Sequence, residues 1–177
     1  ILELRADRLE GDVSALPERL IDVPHWKIAD TARERQFVLN MGMMGGMMGR
    51  GLMGGGRGMM GGGPGAMAIK GRPMDMRRVD ERVRLGDVEI WSIINDTPVS
   101  HPFHIHDIQF RILDRDGRPP AANEAGLKDT VLVDPGETVR VITQFTDYAD
   151  AERPYMYHCH ILEHEDAGMM GQFVVTA

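Results

Sequence analysis

The chain's only cysteine, Cys159, lies between His158 and His160 in the motif HCHILEHEDAGM (158–169). The aromatic segment YMY precedes the motif, so we predict a β-strand here. Successive side chains on a strand point to opposite faces, so both histidines face one side and Cys159 faces the other. The strand could therefore bind metal on both faces and pass electrons between a thiolate site and an imidazole site.

Two further residues complete the ligand set on the cysteine side. His164 follows Cys159 by five residues and Met169 follows it by ten. A cysteine, two histidines and a weakly bound methionine are the ligands of a blue-copper electron-transfer centre. Cys159 and His164 supply the thiolate and one imidazole, and Met169 is a candidate axial sulfur ligand.

The second imidazole must come from elsewhere, and the segment HPFHIH (101–106) contains three histidines. On a strand, His104 and His106 share one face, whereas His101 faces the other. We therefore expect His101 to join Cys159. We expect His104 and His106 to join the two histidines that flank the cysteine.

These motifs, HxxHxH and roughly fifty residues later HCHxxxHxxxxM, resemble the C-terminal copper-binding signature of multicopper oxidases. The flanking residues are most similar to bacterial laccases and copper efflux oxidases, and the resemblance covers residues 66–177. It implies one-electron oxidation of cuprous ion or phenolic substrates at a type-1 copper. It also implies that these electrons reduce dioxygen to water at a trinuclear copper cluster.

The resemblance assigns a role to each motif residue. The implied type-1 copper ligands are His101, Cys159, His164 and Met169. The implied type-2 ligand is His104, and the implied type-3 ligands are His106, His158 and His160. Glu165 matches a carboxylate that donates protons near the family's cluster, and dioxygen reduction consumes protons. The alternative is that Glu165 is only a surface acid in the run EHED.

The number of histidines is too small for a complete cluster. The family's trinuclear cluster uses eight histidines, of which the motifs here supply four. In the family, the other four come from two HxH pairs in an N-terminal domain, and no further HxH pair exists in this sequence. The resemblance thus implies a blue site, half of the cluster ligands, and N-terminal cupredoxin domains as partners, on another chain or in a missing segment.

One departure from the copper efflux pattern concerns the substrate. Those oxidases have an aspartate and a methionine four and two residues before the first motif histidine, where they bind substrate copper. Here these positions are Thr97 and Val99, and Asp96 is one residue away. The departure leaves a laccase-like oxidation of phenols open beside cuprous oxidation.

The elements that must position these residues are strands. Short apolar or alternating segments separated by turns every eight to twelve residues predict an all-β sandwich, in agreement with the family's Greek-key cupredoxin fold. The connection ILEHEDAG between the last two strands is compatible with one helical turn. We expect a hairpin or edge pair from 130–133 and 138–145 across the turn DPGE. The predicted strands are 33–39, 66–70, 72–76, 88–94, 107–113, 130–133, 138–145, 155–160 and 171–176.

Residues 41–65 consist almost entirely of glycine and methionine. Glycine makes such a segment costly to order, and methionine alone specifies a core poorly. One interpretation is a low-complexity linker. We favour a thioether-rich tract for Cu(I), because soft sulfur ligands select cuprous ion and random linkers use methionine less often.

The length and net charge of the chain limit which classes of protein it can belong to. The chain has 177 residues and a net charge of -7, which argues against a nucleic-acid surface. No apolar run is long enough to predict a membrane span, and a single cysteine excludes an internal disulfide.

We interpret 1–24 as the end of a preceding domain and a linker, and 25–177 as the C-terminal cupredoxin domain with 41–65 as an insertion. His25 matches no copper motif, and we expect it to be a structural or a surface residue.

Two other functions stay open beside the oxidase. One is a blue-copper electron-transfer protein, although such a carrier has no use for the second histidine group. The other is a copper-sequestering protein that works through the methionine tract. The family implies a periplasmic or secreted location, and we expect export to depend on a segment outside this chain.

Overall fold

The computed structural model describes residues 22–42 and 67–177. Most of the methionine tract and most of the predicted domain end and linker 1–24 therefore lie outside the described residues. The described strands are β1 Thr31–Met41, β2 Met67–Ile69, β3 Glu81–Arg84, β4 Val88–Asn95, β5 His101–Ile105, β6 Phe110–Arg115, β7 Thr130–Val133, β8 Thr138–Gln144, β9 Asp150–Cys159 and β10 Met170–Thr176. One short helix, α1 Leu162–Asp166, follows β9, and 3-10 turns occupy Ile28–Asp30 and Ala122–Glu124.

The strands form two five-stranded sheets that pack face to face. The order is β2-β1-β4-β8-β6 in the first sheet and β3-β10-β9-β5-β7 in the second. Strand β1 runs parallel to β4, and β3 runs parallel to β10, whereas the other pairs are antiparallel. The prediction of an all-β sandwich is confirmed. No helix within 22–42 or 67–177 has the length and apolar character that a membrane crossing requires.

The core is centred on Trp91, which is completely buried on β4. Its ring centroid lies 4.4 Å from that of Phe37 on β1, and 5.7 Å from those of Tyr157 on β9 and Phe173 on β10. Burying each large aromatic side chain contributes roughly 1.5–3 kcal/mol. This cluster holds β9, which ends at Cys159, firmly against the opposite sheet.

The predicted hairpin between 130–133 and 138–145 is wrong. Strand β7 pairs with β5 at the edge of one sheet, whereas β8 lies between β4 and β6 in the other. Val131 on β7 and Val139 on β8 both point into the core, from opposite sides. The DPGE turn therefore crosses between the sheets, because that connection lets both strands bury their valines together.

Two further differences concern short segments. The predicted strand 72–76 is absent from the described part of the chain, apart from an isolated bridge between Arg72 and Ile69. Pro73 has no N–H to donate, and the Met74 N–H donates to the Gly168 carbonyl at 3.0 Å instead of to a strand.

Strand β3 was not predicted, because its sequence ERVR is mostly charged. Glu81 is nevertheless buried, since the guanidinium of Arg35 donates to it at 2.6 Å. The same guanidinium donates to both oxygens of buried Glu89, at 2.6 and 2.8 Å, and Lys70 lies 2.5 Å from Glu81. This ion cluster ties β1 and β4 of one sheet to β3 of the other.

Candidate copper centre

The two histidine motifs lie on adjacent strands. Strands β5 and β9 are antiparallel neighbours, with Phe103 opposite Cys159 and His104 opposite His158. His101 and Cys159 face the core and are completely buried, whereas His104 points to the opposite face. The predicted division of the ligands is therefore confirmed for His101 and Cys159 on one face and for His104 and His158 on the other.

On the inner face, three donor atoms form a nearly equilateral triangle. The Nδ1 atom of His101 lies 3.4 Å from the Cys159 sulfur and 3.2 Å from Nδ1 of His164, and the sulfur lies 3.6 Å from Nδ1 of His164. Two imidazole nitrogens and one sulfur converging on one point are the trigonal donor set of a blue-copper site. The residues present fit that ion.

The loop after β9 brings the remaining ligands to this triangle. Helix α1 places His164, and the Met169 N–H donates to the His164 carbonyl at 2.9 Å. The Cys159 N–H donates to the Met169 carbonyl at 3.0 Å, and the Met169 side chain is completely buried in the same core as Cys159. Backbone hydrogen bonds thus fix the three inner-face ligands of this motif, Cys159, His164 and Met169, relative to one another.

On the outer face, the ligand atoms of His104, His106 and His158 all lie within 4.8 Å of one another. The Nε2 atoms of His106 and His158 are 3.1 Å apart. His104 donates from Nδ1 to the Asp129 carbonyl at 2.9 Å, so its Nε2 carries the free lone pair. His160 is exposed, and its ring centroid lies 5.4 Å from that of His158, so its role as a ligand stays a prediction.

The surroundings favour metal binding by neutral imidazoles. Burial, together with neighbouring His164, lowers the pKa of His101 to about 4. Burial and the neighbouring histidines also lower the pKa of His106. Burial raises the pKa of the Cys159 thiol. A bound cation would instead favour the deprotonated cysteine, because a coordinating cysteine binds metal as its thiolate.

Glu165 lies beside the outer histidine group rather than in open solvent. Its Oε2 atom is 3.2 Å from Nδ1 of His158, and that Nδ1 is also 3.1 Å from the Cys159 carbonyl. Its neighbours Glu163 and Asp166 are exposed, as expected for solvated residues. Contact with a cluster histidine suits a carboxyl that moves protons, although that role stays a prediction.

Thr97 was recognised in the sequence only as a departure from the copper efflux pattern. Its hydroxyl lies 2.7 Å from Nε2 of His101, and it also contacts Asn95. In the sequence, the only indication that Thr97 contacts the site was its position between the buried strand β4 and the first motif histidine. His25, by contrast, is exposed beside Arg111, at 3.2 Å, and belongs to neither ligand group.

Comparison with known proteins supports the same assignment. Residues 53–177 match the sequence family described as multicopper oxidase. The multicopper oxidase mco of Staphylococcus haemolyticus is 40% identical over 114 residues, which is 62% of this chain and 25% of that protein. The laccase of Bacillus subtilis is 39% identical over 116 residues, which is 55% of this chain and 22% of that protein.

Solved structures agree with the fold. A laccase from Pediococcus acidilactici superposes with a TM-score of 0.73 at 32% identity, over 95% of this chain and 32% of that one. The laccase-like multi-copper oxidase CueO from Ochrobactrum sp. gives 0.72 at 35% identity, over 95% of this chain and 36% of that one. The chain thus spans about a quarter of the curated relatives' length and about a third of these structures.

The fold is accordingly the cupredoxin sandwich of the laccase structures. The copper-binding residues are His101, Cys159, His164 and Met169 on the inner face and His104, His106 and His158 on the outer face. With both ligand groups in place and the family match across most of the sequence, this chain belongs to the multicopper oxidase family, as its C-terminal cupredoxin domain.

Proposed function

We propose that this domain takes single electrons from a substrate at the inner site and delivers them to a dioxygen-reducing cluster on its outer face. One observation carries the proposal: consecutive residues of one strand, His158 and Cys159, enter two separate donor groups. Bound copper would supply the one-electron redox chemistry at both places. The chain supplies a path of one peptide unit between them, reinforced by the contact of the His158 ring with the Cys159 carbonyl at 3.1 Å.

The two imidazoles of the inner site differ in their access to substrate. His101 is completely buried, whereas His164 is half-buried on helix α1, which also carries the exposed Leu162. We infer that a substrate delivers its electron on the His164 side. The buried ligands on the other side keep water away from the reacting sulfur.

Cuprous ion and phenols are the two proposed substrate classes. For cuprous ion, the support is the methionine content of the chain, including exposed Met76. Met76 lies in a segment that is hydrogen-bonded, through the Met74 N–H, to the loop that carries His164 and Met169. For phenols, the support is that the Thr97 hydroxyl is hydrogen-bonded to His101. It therefore cannot bind a substrate copper ion as the carboxylate at this position does in copper efflux oxidases.

The methionine tract can be tested directly, although residues 43–65 lie outside the described residues. Deleting 41–65 and joining the ends should lower cuprous oxidation, because thioethers that hold Cu(I) near the inner site are lost. Phenol oxidation should stay level or rise. If both activities are unchanged, the tract is only a linker.

The outer histidine group is only half of a trinuclear cluster, so we propose that N-terminal cupredoxin domains cover this face and supply the remaining imidazoles. The copper-loaded 177-residue chain should therefore show the blue site but not reduce dioxygen. Adding the N-terminal region, in the same chain or separately, should restore turnover. Turnover by the 177-residue chain alone would refute the division of the cluster. A periplasmic or secreted location is part of the same proposal, by analogy with the family.

The decisive variant is Cys159→Ser in the complete oxidase. Serine is nearly isosteric, yet its hydroxyl does not replace the thiolate that produces the blue absorption. We expect loss of the blue absorption and of substrate oxidation, while copper at the histidine cluster is retained. Persistence of the blue colour would exclude Cys159 as the ligand, and retained turnover without it would exclude the inner site as the entry for electrons.

A further inference from the structure

We propose that Asn95 and Thr97 are positioning residues that hold His101 in the single orientation and tautomer in which its Nδ1 atom binds copper. The inference rests on the proposed function, since copper is the ion for which His101 is held. It concerns residues outside the ligand set, and it is carried by a chain of hydrogen bonds in the buried end of strand β4.

The three side chains are all withdrawn from solvent. The exposed fraction is 1% for Asn95, 7% for Thr97 and 0% for His101. The Thr97 hydroxyl lies 2.7 Å from the Asn95 Oδ1 atom and 2.7 Å from Nε2 of His101. At such burial each polar atom needs a partner of the right kind, because water is not available to replace it.

The orientation of the Asn95 amide follows from its backbone partners. Its Nδ2 atom donates to the carbonyl of Val99 at 2.8 Å and to the carbonyl of Val133 on β7 at 2.9 Å. Its Oδ1 atom accepts the N–H of Thr97 at 3.0 Å. A flipped amide would place oxygen against two carbonyl oxygens, so Oδ1 must be the atom that faces the Thr97 hydroxyl.

The direction of the remaining two bonds then follows. The Thr97 hydroxyl has one hydrogen, and its two oxygen neighbours, Asn95 Oδ1 at 2.7 Å and the Val99 carbonyl at 3.1 Å, can only accept, so the hydroxyl donates towards them. The hydroxyl oxygen is left to accept, and His101 must donate from Nε2. The proton of the neutral imidazole is thus on Nε2, and Nδ1, which lies 3.4 Å from the Cys159 sulfur and 3.2 Å from Nδ1 of His164, carries the lone pair.

This arrangement makes the inner site asymmetric. His101 is fixed by a network anchored on β4 and β7, independently of any ion. His164 instead depends on the short helix α1 and is half-buried. We therefore infer that His101 provides the preformed part of the site, to which copper and the more accessible ligand are added.

The test uses the complete oxidase and substitutions that separate the hydroxyl from the bulk of Thr97. Thr97→Val keeps the shape and removes the hydroxyl, Thr97→Ala removes it without a risk of overpacking, and Thr97→Ser restores it. Thr143→Val is the matched control, because Thr143 is also buried and its hydroxyl donates to the Gln109 carbonyl at 2.8 Å, with no histidine involved.

The readout is the blue absorption of each metal-free variant as copper is added against a competing chelator, since this absorption reports the inner site alone. Loss of a hydrogen-bond partner behind a metal ligand typically weakens metal binding about 10- to 100-fold. We expect that loss for the valine and alanine variants, with a changed copper hyperfine splitting in electron paramagnetic resonance. Thr97→Ser and Thr143→Val should bind as the unaltered protein does.

Three results would overturn the proposal: copper affinity within twofold of the unaltered protein for both Thr97→Val and Thr97→Ala, an equal loss for Thr97→Ser, or an equal loss for Thr143→Val. The last two would show that packing or general stability, rather than the hydroxyl, controls the site. If the unaltered oxidase itself had no blue absorption, the proposed function would fail instead, which keeps the two failures apart.

Discussion

Gly168 immediately precedes Met169 in the ligand loop, and replacing it by alanine tests how tightly that loop is held. Its φ of +103° lies in a region that side chains disfavour, at a cost of about 1–2 kcal/mol. An added Cβ would also lie 3.0 Å from the Cβ of Pro73 and 3.2 Å from the Met67 carbonyl oxygen. Such overpacking costs about 1–3 kcal/mol more.

The neighbouring segments cannot withdraw without further loss. The Met74 N–H donates to the Gly168 carbonyl at 3.0 Å, and the Met67 N–H donates to the Ala167 carbonyl at 3.3 Å. We therefore expect Gly168→Ala to lower the free energy of unfolding of the 177-residue chain by about 2–5 kcal/mol. In the complete oxidase it should also weaken the blue absorption, because Met169 and His164 move with the loop.

Gly86→Ala is the matched control. Gly86 has a similar φ of +87°, but an added Cβ there would meet no atom within 4 Å. Its cost should be only the conformational part, about 1–2 kcal/mol, with an unchanged blue absorption. Urea denaturation followed by tryptophan fluorescence measures both variants. Equal losses for the two glycines would refute the claim that the ligand loop is packed against Pro73 and Met67.

Three further predictions concern the ion clusters and the axial ligand. Arg35→Met leaves the buried carboxylate of Glu89 with the Trp91 indole N–H but with no charged partner, so urea denaturation should show a loss of about 3–5 kcal/mol. A loss below about 1 kcal/mol would contradict the burial of that charge. Met169→Leu should keep copper bound but raise the reduction potential of the blue site in a redox titration, because an axial thioether binds weakly and tunes the potential; a fall in potential would argue against axial ligation. The hydrogen bond from Arg115 lowers the pKa of Glu124, so this pair stabilises the fold at pH values above the ordinary pKa of a glutamate, and the stabilisation is lost as the pH falls through the lowered pKa. Glu124→Gln should thus be less stable than the unaltered chain at neutral pH and equally stable in strong acid. A difference in stability that does not change with pH would contradict the coupling.

The division of the ligands between two faces was predictable from the sequence. A strand has a side-chain period of two, so the spacing within HPFHIH and HCH determines which residues share a side. Period alone does not determine which strands pair. The segments around DPGE therefore resembled a hairpin, although Val131 and Val139 reach the core from opposite sheets.

Other features depend on contacts between segments distant in sequence. Glu81 on the charged strand β3 can be buried because Arg35, forty-six residues away, and Lys70 both contact its carboxylate. Glu165 could not be distinguished from its acidic neighbours until helix α1 placed it against His158. The hydroxyl of Thr97 became significant only once its distance to His101 was known.

The copper content of the complete oxidase tests most directly whether the outer histidines belong to a dioxygen-reducing cluster. We expect about four copper ions per molecule, one of which gives the blue absorption and is lost in Cys159→Ser. About one copper ion per molecule, with the blue absorption intact, would contradict the oxidase and leave an electron-transfer protein. Many weakly bound cuprous ions without blue absorption would instead indicate copper sequestration.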